Sequence, residues 1–180
     1  TAYRGTVSFQ CDTDPLAGLP PPYSFRPAPG GDAGNAVLHA VFRTPGLHYV
    51  RISDGRLESY SNPIMVYEGA PPLRLYWGDI HWHTSVCDGS GSPAECYAYA
   101  RDVACLDFAS ATTHDHFMRG IGSLPAGHAK WAYLRTTTNA FNEPGRFVTL
   151  IAYEWRGNFL RTNAPSYGDR NIYSRDDQLP

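Results

Sequence analysis

The chain has 180 residues, 42% of them hydrophobic and 18% charged, and a formal net charge of −2. This length and composition are typical of a globular protein with one domain or two small ones. The basic residues are almost all arginines, with Lys130 the only lysine, and they form no basic stripe, so we expect no nucleic-acid partner. No apolar run approaches the roughly 20 residues of a transmembrane helix, so we expect no membrane span.

The four cysteines lack the paired spacing of a structural zinc knuckle. They stand at positions 11, 87, 96 and 105, without a Cys-x-x-Cys pair. Because their number is even, disulfide formation stays open, and with it the redox compartment.

Residues 1–68 predict short strands separated by turns rich in Gly, Pro and Asp. The predicted strands are residues 4–10, 35–43, 47–52 and 62–67. Several short strands at this spacing favour a β-sandwich. His39 and His48 are expected to be ordinary strand residues.

Residues 69–72 form a short, stiff linker, after which strands alternate with helices. Ser92 and Glu95 make a capping box, with Pro93 at the first helical position, so a helix is predicted from Pro93 to Ala104. The other predicted elements are strands at 73–83, 106–113 and 147–155, a helix at 127–142 and a further strand from about residue 171. This alternation predicts parallel βαβ units.

Three of these strands end in residue types that bind metals. His81 and His83 follow the first, His114 the second, and Glu154 the third. Because side chains alternate along a strand, Asp79, His81 and His83 are predicted to share one face, with His81 and His83 at its carboxyl end. Since the carboxyl ends of parallel strands meet at one edge, we predict a metal site there.

Imidazoles and carboxylates suit zinc, manganese or iron, and clustered ions activate water for hydrolysis. A structural zinc site would be closed and rich in cysteine. Polar residues that merely bond to backbone at a sheet end are the alternative, but five of the seven histidines lie between His81 and His128. Within that group, His116 is either a ligand or a loop histidine, and His128 is expected on a helix surface.

Three motifs together resemble the PHP (polymerase and histidinol phosphatase) superfamily, in particular its poorly characterised branch with Trp-Gly-Asp-x-His. They are Gly78-Asp-Ile-His-Trp-His-Thr-Ser-Val-Cys-Asp-Gly, Leu106-Asp-Phe-Ala-Ser-Ala-Thr-Thr-His-Asp-His and Ile151-Ala-Tyr-Glu-Trp. The resemblance implies a distorted (β/α)7 barrel with two or three divalent ions (Zn, Mn or Fe) in its mouth. It also implies metal-dependent hydrolysis of phosphoesters.

The resemblance assigns roles by position. His81, His83 and Glu154 would form the catalytic set and hold one ion, with Glu154 bridging to a second. Asp88 and His114 would hold a third ion, and Asp169 is a further implied metal ligand. Anion-binding arginines would be Arg156 and Arg170.

Residues 3–9, 14–25 and 42–54 resemble bacterial Ig-like modules of secreted and surface proteins, which implies an extracytoplasmic location. The expected fold is therefore a partial Ig-like β-sandwich, residues 1–68, followed by the first half of a distorted (β/α)7 PHP-type barrel, residues 73–180. Such a half barrel would be completed by further chain, a partner chain or self-association, because it exposes strand edges and apolar faces.

The PHP resemblance has departures. Thr113 stands where the family has an acidic residue, Asp169 stands where it has a histidine, and its later ligands would follow residue 180. Two functions are consistent with these observations. One is hydrolysis of a small anionic ester by a metal-activated water. The other is a non-catalytic extracellular structural or assembly role for a degenerate or partial PHP domain.

Overall fold

A computed structural model of the chain describes residues 3–27, 30–32, 34–118, 124–157 and 167–176, with only the backbone described for 124–127. It divides into two compact units, Thr1–Arg74 and Leu75–Pro180. This division falls two residues beyond the predicted linker.

Six short strands make up the described part of the first unit, and every pairing between them is antiparallel. They are β1 (Thr6–Gln10), β2 (Tyr23–Ser24), β3 (Gly46–His48), β4 (Arg51–Ser53), β5 (Glu58–Tyr60) and β6 (Ile64–Val66). One sheet has the order β2-β1-β4-β5, and β3 pairs with β6 in another. The predicted strand 47–52 is therefore divided between two sheets, with the crossing at residues 49–50.

The strand predicted for residues 35–43 is wrong. The structure describes all of residues 35–43, and among them only Val41 forms a β-bridge. This bridge is isolated and antiparallel, and it joins Val41 to Gly18. Val37 is 65% exposed and Val41 53%, so alternate side chains have no buried face to pack against. A run of β-formers becomes a strand only where a neighbouring backbone is available for pairing.

A buried carboxylate anchors the loop between β2 and β3. Asp14 is almost fully buried and accepts hydrogen bonds from the amides of Leu16, Arg43 and Thr44 and from the Thr44 hydroxyl. Burial alone would raise the pKa of Asp14, but these donors outweigh it and hold the pKa at about 2. The Asp12–Pro22 loop, rich in breakers, is thereby fixed to the turn before β3.

The second unit contains parallel strands connected by helices, as the alternation predicts. Its described elements are β7 (Gly78–Trp82), α1 (Pro93–Asp102), β8 (Phe108–Ala111), α2 (Asp115–Met118), α3 (Leu124–Phe141), β9 (Val148–Thr149), β10 (Ala152–Arg156) and β11 (Asp169–Tyr173). Strands β7, β8 and β9 form one sheet in that order, and both pairings are parallel.

The predicted capping box begins α1. Ser92 accepts a hydrogen bond from the Glu95 amide, and the Glu95 side chain bonds back to the Ser92 amide. The helix packs on the sheet through a small core made of Tyr97, Ala100, Ala109, Ala111 and Phe147, with Trp82, Leu106 and Phe141 at its margin. Aromatic side chains thus supply most of the bulk between helix and sheet.

A β-bulge interrupts β7 just before its end. Asp79 pairs with Ala109, but the next pair joins Trp82 to Ala111, so β7 has one residue more than β8 between the two pairs. Asp79 and Trp82 consequently share a face, and His83 lies on the other. The prediction that Asp79 shares the face of His83 is wrong, because unbroken alternation does not hold here.

The predicted third strand is divided into β9 and β10. Strand β9 lies beside β8, and β10 lies beside the residues that follow β8. Strand β9 pairs with β8 directly, and Glu154 of β10 forms a parallel bridge with His114. The further strand is β11, and it pairs antiparallel with β10. Strands β10 and β11 thus form a two-stranded antiparallel sheet of their own, and such a reversal of chain direction is not part of a purely parallel barrel.

Strand β7 lies at the edge of its sheet, and the residues leading into it are exposed and apolar. Leu73 is 85% exposed and Trp77 64%. Exposed apolar groups beside an unpaired strand edge are suited to contact with another surface. Within the described residues, no helix combines the length and apolar character needed to cross a bilayer.

Tyr97→Phe tests how α1 is joined to the sheet. The buried Tyr97 hydroxyl pairs with Thr138 of α3 and accepts the amide hydrogen of Ala111 in β8. Its loss leaves that amide unsatisfied, so the free energy of unfolding should fall by about 1–3 kcal/mol. Tyr99→Phe is the matched control, because Tyr99 is exposed on the same helix. Equal urea denaturation midpoints for the two variants would contradict this prediction.

Candidate metal centre

The ends of β7 and β10 and the residues after β8 bring the metal-binding side chains together. His83 follows the last residue of β7, and His114 stands between β8 and α2. The Glu154 amide donates to the Thr113 carbonyl at 3.1 Å, which places Glu154 next to His114. Residues up to 73 positions apart in the chain thus meet at one edge.

Three imidazoles converge on a single carboxylate oxygen. Glu154 Oε2 lies 3.3 Å from His81 Nε2, 3.1 Å from His83 Nε2 and 3.4 Å from His114 Nδ1. The Glu154 side chain is only 6% exposed, whereas that of His81 is 53% exposed. The buried carboxylate thus forms the floor of the site, and His81 forms part of its open rim.

Asp88 lines the side of the centre opposite Glu154. Its Oδ1 lies 3.9 Å from His83 Nδ1 and its Oδ2 lies 3.4 Å from His114 Nε2. The loop carrying Asp88 packs tightly against the strand end, because a Cβ on Gly89 would lie 2.4 Å from the carbonyl carbon of His83. Only glycine allows this approach of two backbones.

These side chains form two groups in which the ligand atoms lie within 4.8 Å of one another. One group contains His81, His83 and Glu154, and the other contains His83, Asp88 and His114. Together they include five of the six metal ligands proposed from the sequence. The sixth, Asp169, belongs to neither group.

The protonation states suit metal binding, which requires neutral imidazole and ionised carboxylate. Burial lowers the pKa of His83, and the His114 ring lowers it further, against the opposing effect of Glu154 and Asp88. Burial alone would raise the pKa of Asp88, but the Cys87 thiol and the neighbouring imidazoles lower it. At neutral pH, His83 therefore has a lone pair available and Asp88 is negatively charged.

The residues present fit a metal centre, because a buried ring nitrogen beside Glu154 lacks a hydrogen bond. His114 Nδ1 has no hydrogen-bond partner among the described residues, although it is 3.4 Å from Glu154 Oε2. Buried polar atoms are normally paired, so such an atom calls for a ligand. An imidazole nitrogen and a carboxylate oxygen that face each other are ligand atoms between which a divalent cation would be bound.

Other candidates from the sequence lie beside the two groups. His116, in α2, packs its ring 5.1 Å from that of His114 and takes part in neither group.

Asp169 lies opposite Arg156, and Arg156 Nε is 3.8 Å from Asp169 Oδ1. Strand register puts Arg156 on the face of Glu154, whereas Arg170, opposite Trp155, is on the other face. His128 is exposed on α3, as predicted.

Sequence reasoning missed two residues that hold this edge together, Asp115 and Tyr173, and a third that lies beside it, Asn171. Asp115 accepts the Arg156 amide hydrogen at 3.2 Å, and the Tyr173 hydroxyl donates to the Ile80 carbonyl at 2.7 Å. Asn171 stands directly opposite Glu154 on the neighbouring strand. The motif His-Asp-His pointed to Asp115, but the other two depend on the antiparallel register of β10 and β11, which no local pattern indicates.

The four cysteines are free thiols. Cys87 Sγ lies 3.5 Å from His83 Nδ1. The thiol therefore shares with Asp88 the side of the His83 ring that faces away from Glu154.

The family that matches this chain does so within the second unit. A family model described as a protein of unknown function, DUF3604, matches residues 91–180, which begin just after Asp88. An uncharacterized protein of Chlamydia pneumoniae is 24% identical over 129 residues, covering 70% of this chain and 20% of that protein. The chain thus spans about a fifth of that relative's length. No solved structure matches the chain.

Glu154→Gln tests the centre, because it keeps the volume of the side chain and removes its charge. The affinity of the protein for Mn²⁺ or Zn²⁺ is measured by calorimetric titration. Loss of a residue that only supports a ligand lowers metal affinity roughly 10–100-fold, and loss of Glu154, a ligand itself, should lower it at least as much. Glu143→Gln is the matched control, since Glu143 pairs with Arg101 and Arg146 away from the centre. Equal affinities in the two variants would show that Glu154 binds no metal.

Proposed function

The chain belongs to the family of proteins of unknown function DUF3604, and we propose that its second unit is a metal-dependent hydrolase of phosphoesters or related anionic esters. The observation that carries the proposal is the convergence of three imidazoles on Glu154, with Asp88 on the opposite wall. The PHP resemblance supports it, and so does the parallel βαβ arrangement. For the first unit we propose a partial Ig-like sandwich, supported by its two antiparallel sheets and by the Ig-like resemblance.

The openness of the centre favours catalysis over a structural role. Structural zinc sites are closed by four protein ligands, whereas catalytic sites leave room for water or substrate. Here the side chains of His81 and Asp88 are both more than half exposed. A small ester therefore has access to the ligand atoms from solvent.

His81, His83 and Glu154 would hold one ion, and Asp88 and His114 would help to hold another. Ions bound there would lower the pKa of a coordinated water and neutralise charge on the substrate oxygens. The buried Glu154 and the neutral His83 provide the negative charge and the lone pair that retain a cation. The Arg156 amide of β10 donates a hydrogen bond to Asp115, and the Tyr173 hydroxyl donates one to the Ile80 carbonyl of β7; both contacts keep the strand ends in place.

The charge around the centre favours an anionic substrate once cations are present. Arg156 is on the face of Glu154, two residues further along β10, and its side chain is 37% exposed. A guanidinium at this position would bind an ester oxygen that faces away from the ions. This assigns Arg156 to substrate binding, whereas Arg170 lies on the opposite face of β11.

A second candidate function is assembly. It is favoured by the exposed apolar residues that lead into β7 and by the outer edge of that strand, which pairs with no other strand in the described part of the chain. In this case the second unit would be completed by further chain, a partner or another copy, with a structural or residual metal. An extracytoplasmic location, proposed from the Ig-like resemblance, would suit either function.

Hydrolysis of p-nitrophenyl phosphate and bis(p-nitrophenyl) phosphate should require Mn²⁺ or Zn²⁺, stop on chelation and return when metal is added back. His83→Ala should reduce kcat/KM by about 100-fold or more, because electrostatic stabilisation at the reacting group is lost. His128→Ala should have no effect, since that imidazole is exposed on α3. Activity that survives chelation or His83→Ala would contradict the hydrolase proposal.

A further inference from the structure

We propose that the side-chain oxygen of Asn171 is an additional ligand for the ion held by His81, His83 and Glu154. The inference rests on the proposed metal centre and deepens it by adding a neutral oxygen donor from β11. Such a donor would bias this ion towards manganese or another cation that favours oxygen.

Strand register places Asn171 at the centre. Asn171 is the direct partner of Glu154 in the antiparallel pair of β10 and β11. Directly opposed residues share a face and have their Cβ atoms about 4.5–5.5 Å apart. The Asn171 side chain therefore starts beside the carboxylate on which the three imidazoles converge.

Tyr173 shows in which direction this face of β11 extends. Tyr173 stands two residues after Asn171, so both side chains are on the same face. Its hydroxyl reaches the Ile80 carbonyl, next to His81 in β7. The face that carries Asn171 thus spans the space between Glu154 and the end of β7, where the first ligand group lies.

The oxygen of Asn171 is also unsatisfied. Oδ1 is buried and has no hydrogen-bond partner among the residues that the structure describes. A buried, unpaired amide oxygen costs about 1–3 kcal/mol unless a donor or cation contacts it. A cation held by Glu154 and the imidazoles would supply that contact.

Coordination chemistry fits this assignment. Two imidazoles and one carboxylate leave a divalent ion with open positions, and amide oxygens are ligands for hard cations. Because zinc is commonly satisfied by four ligands, it depends less on a further oxygen than manganese does. The presence of Asn171 should therefore matter more for Mn²⁺ than for Zn²⁺.

Calorimetric titration of Asn171→Leu, Asn171→Ser and Asn171→Asp with Mn²⁺ and with Zn²⁺ tests the proposal. Leu and the shorter Ser should weaken Mn²⁺ binding about 10–100-fold and Zn²⁺ binding less. Asp, which keeps an oxygen, should bind Mn²⁺ at least as tightly as the unsubstituted chain. Ser174→Ala, beyond the end of β11, is the control, because its hydroxyl bonds to Asp176.

Thermal denaturation without metal checks that each variant folds. Asn171→Leu should be no less stable than the parent, because it removes an unsatisfied buried oxygen. Unchanged Mn²⁺ affinity in folded Leu and Ser variants would overturn the role of Asn171 while leaving the centre intact. Absence of Mn²⁺ and Zn²⁺ binding in the parent chain would instead overturn the centre itself, and this inference with it.

Discussion

The candidate centre depends on one backbone hydrogen bond between segments that are distant in sequence. The Glu154 amide donates to the Thr113 carbonyl, and this contact extends the pairing of the third strand along the second. It holds Glu154, the only buried carboxylate of the two ligand groups, beside the imidazoles. The core of Tyr97 and Phe147 holds the strands at this separation, so packing on the helix side fixes the geometry on the ligand side.

Local sequence signals predicted the elements of the second unit well. The capping box at Ser92 determines where α1 begins, and the alternation of strands and helices leads to parallel pairing. Parallel pairing in turn explains why His83, His114 and Glu154 meet, since the ends of such strands share an edge. Pattern and topology are sufficient for these three ligands, because each lies within, or directly follows, a strand that the sequence predicts clearly.

The remaining features depend on contacts that no short pattern contains. The bulge in β7 changes the face of Asp79, and the return of β11 antiparallel to β10 places Asn171, not Asp169, opposite Glu154. In the first unit, residues 35–43 have strand propensity but find only one backbone partner in the described structure. Register and pairing arise from the whole chain, so they were accessible only from the folded structure.

His83 belongs to both ligand groups, and its chemistry makes them interdependent. Nε2 faces Glu154 and Nδ1 faces Asp88. A neutral imidazole has one lone pair, and its other nitrogen carries a proton. An ion held at Nε2 would therefore fix the tautomer, with the Nδ1 proton facing Cys87 and Asp88. In that tautomer the second group would offer Asp88 and His114 without the His83 ring, so filling one group would change the ligands available in the other.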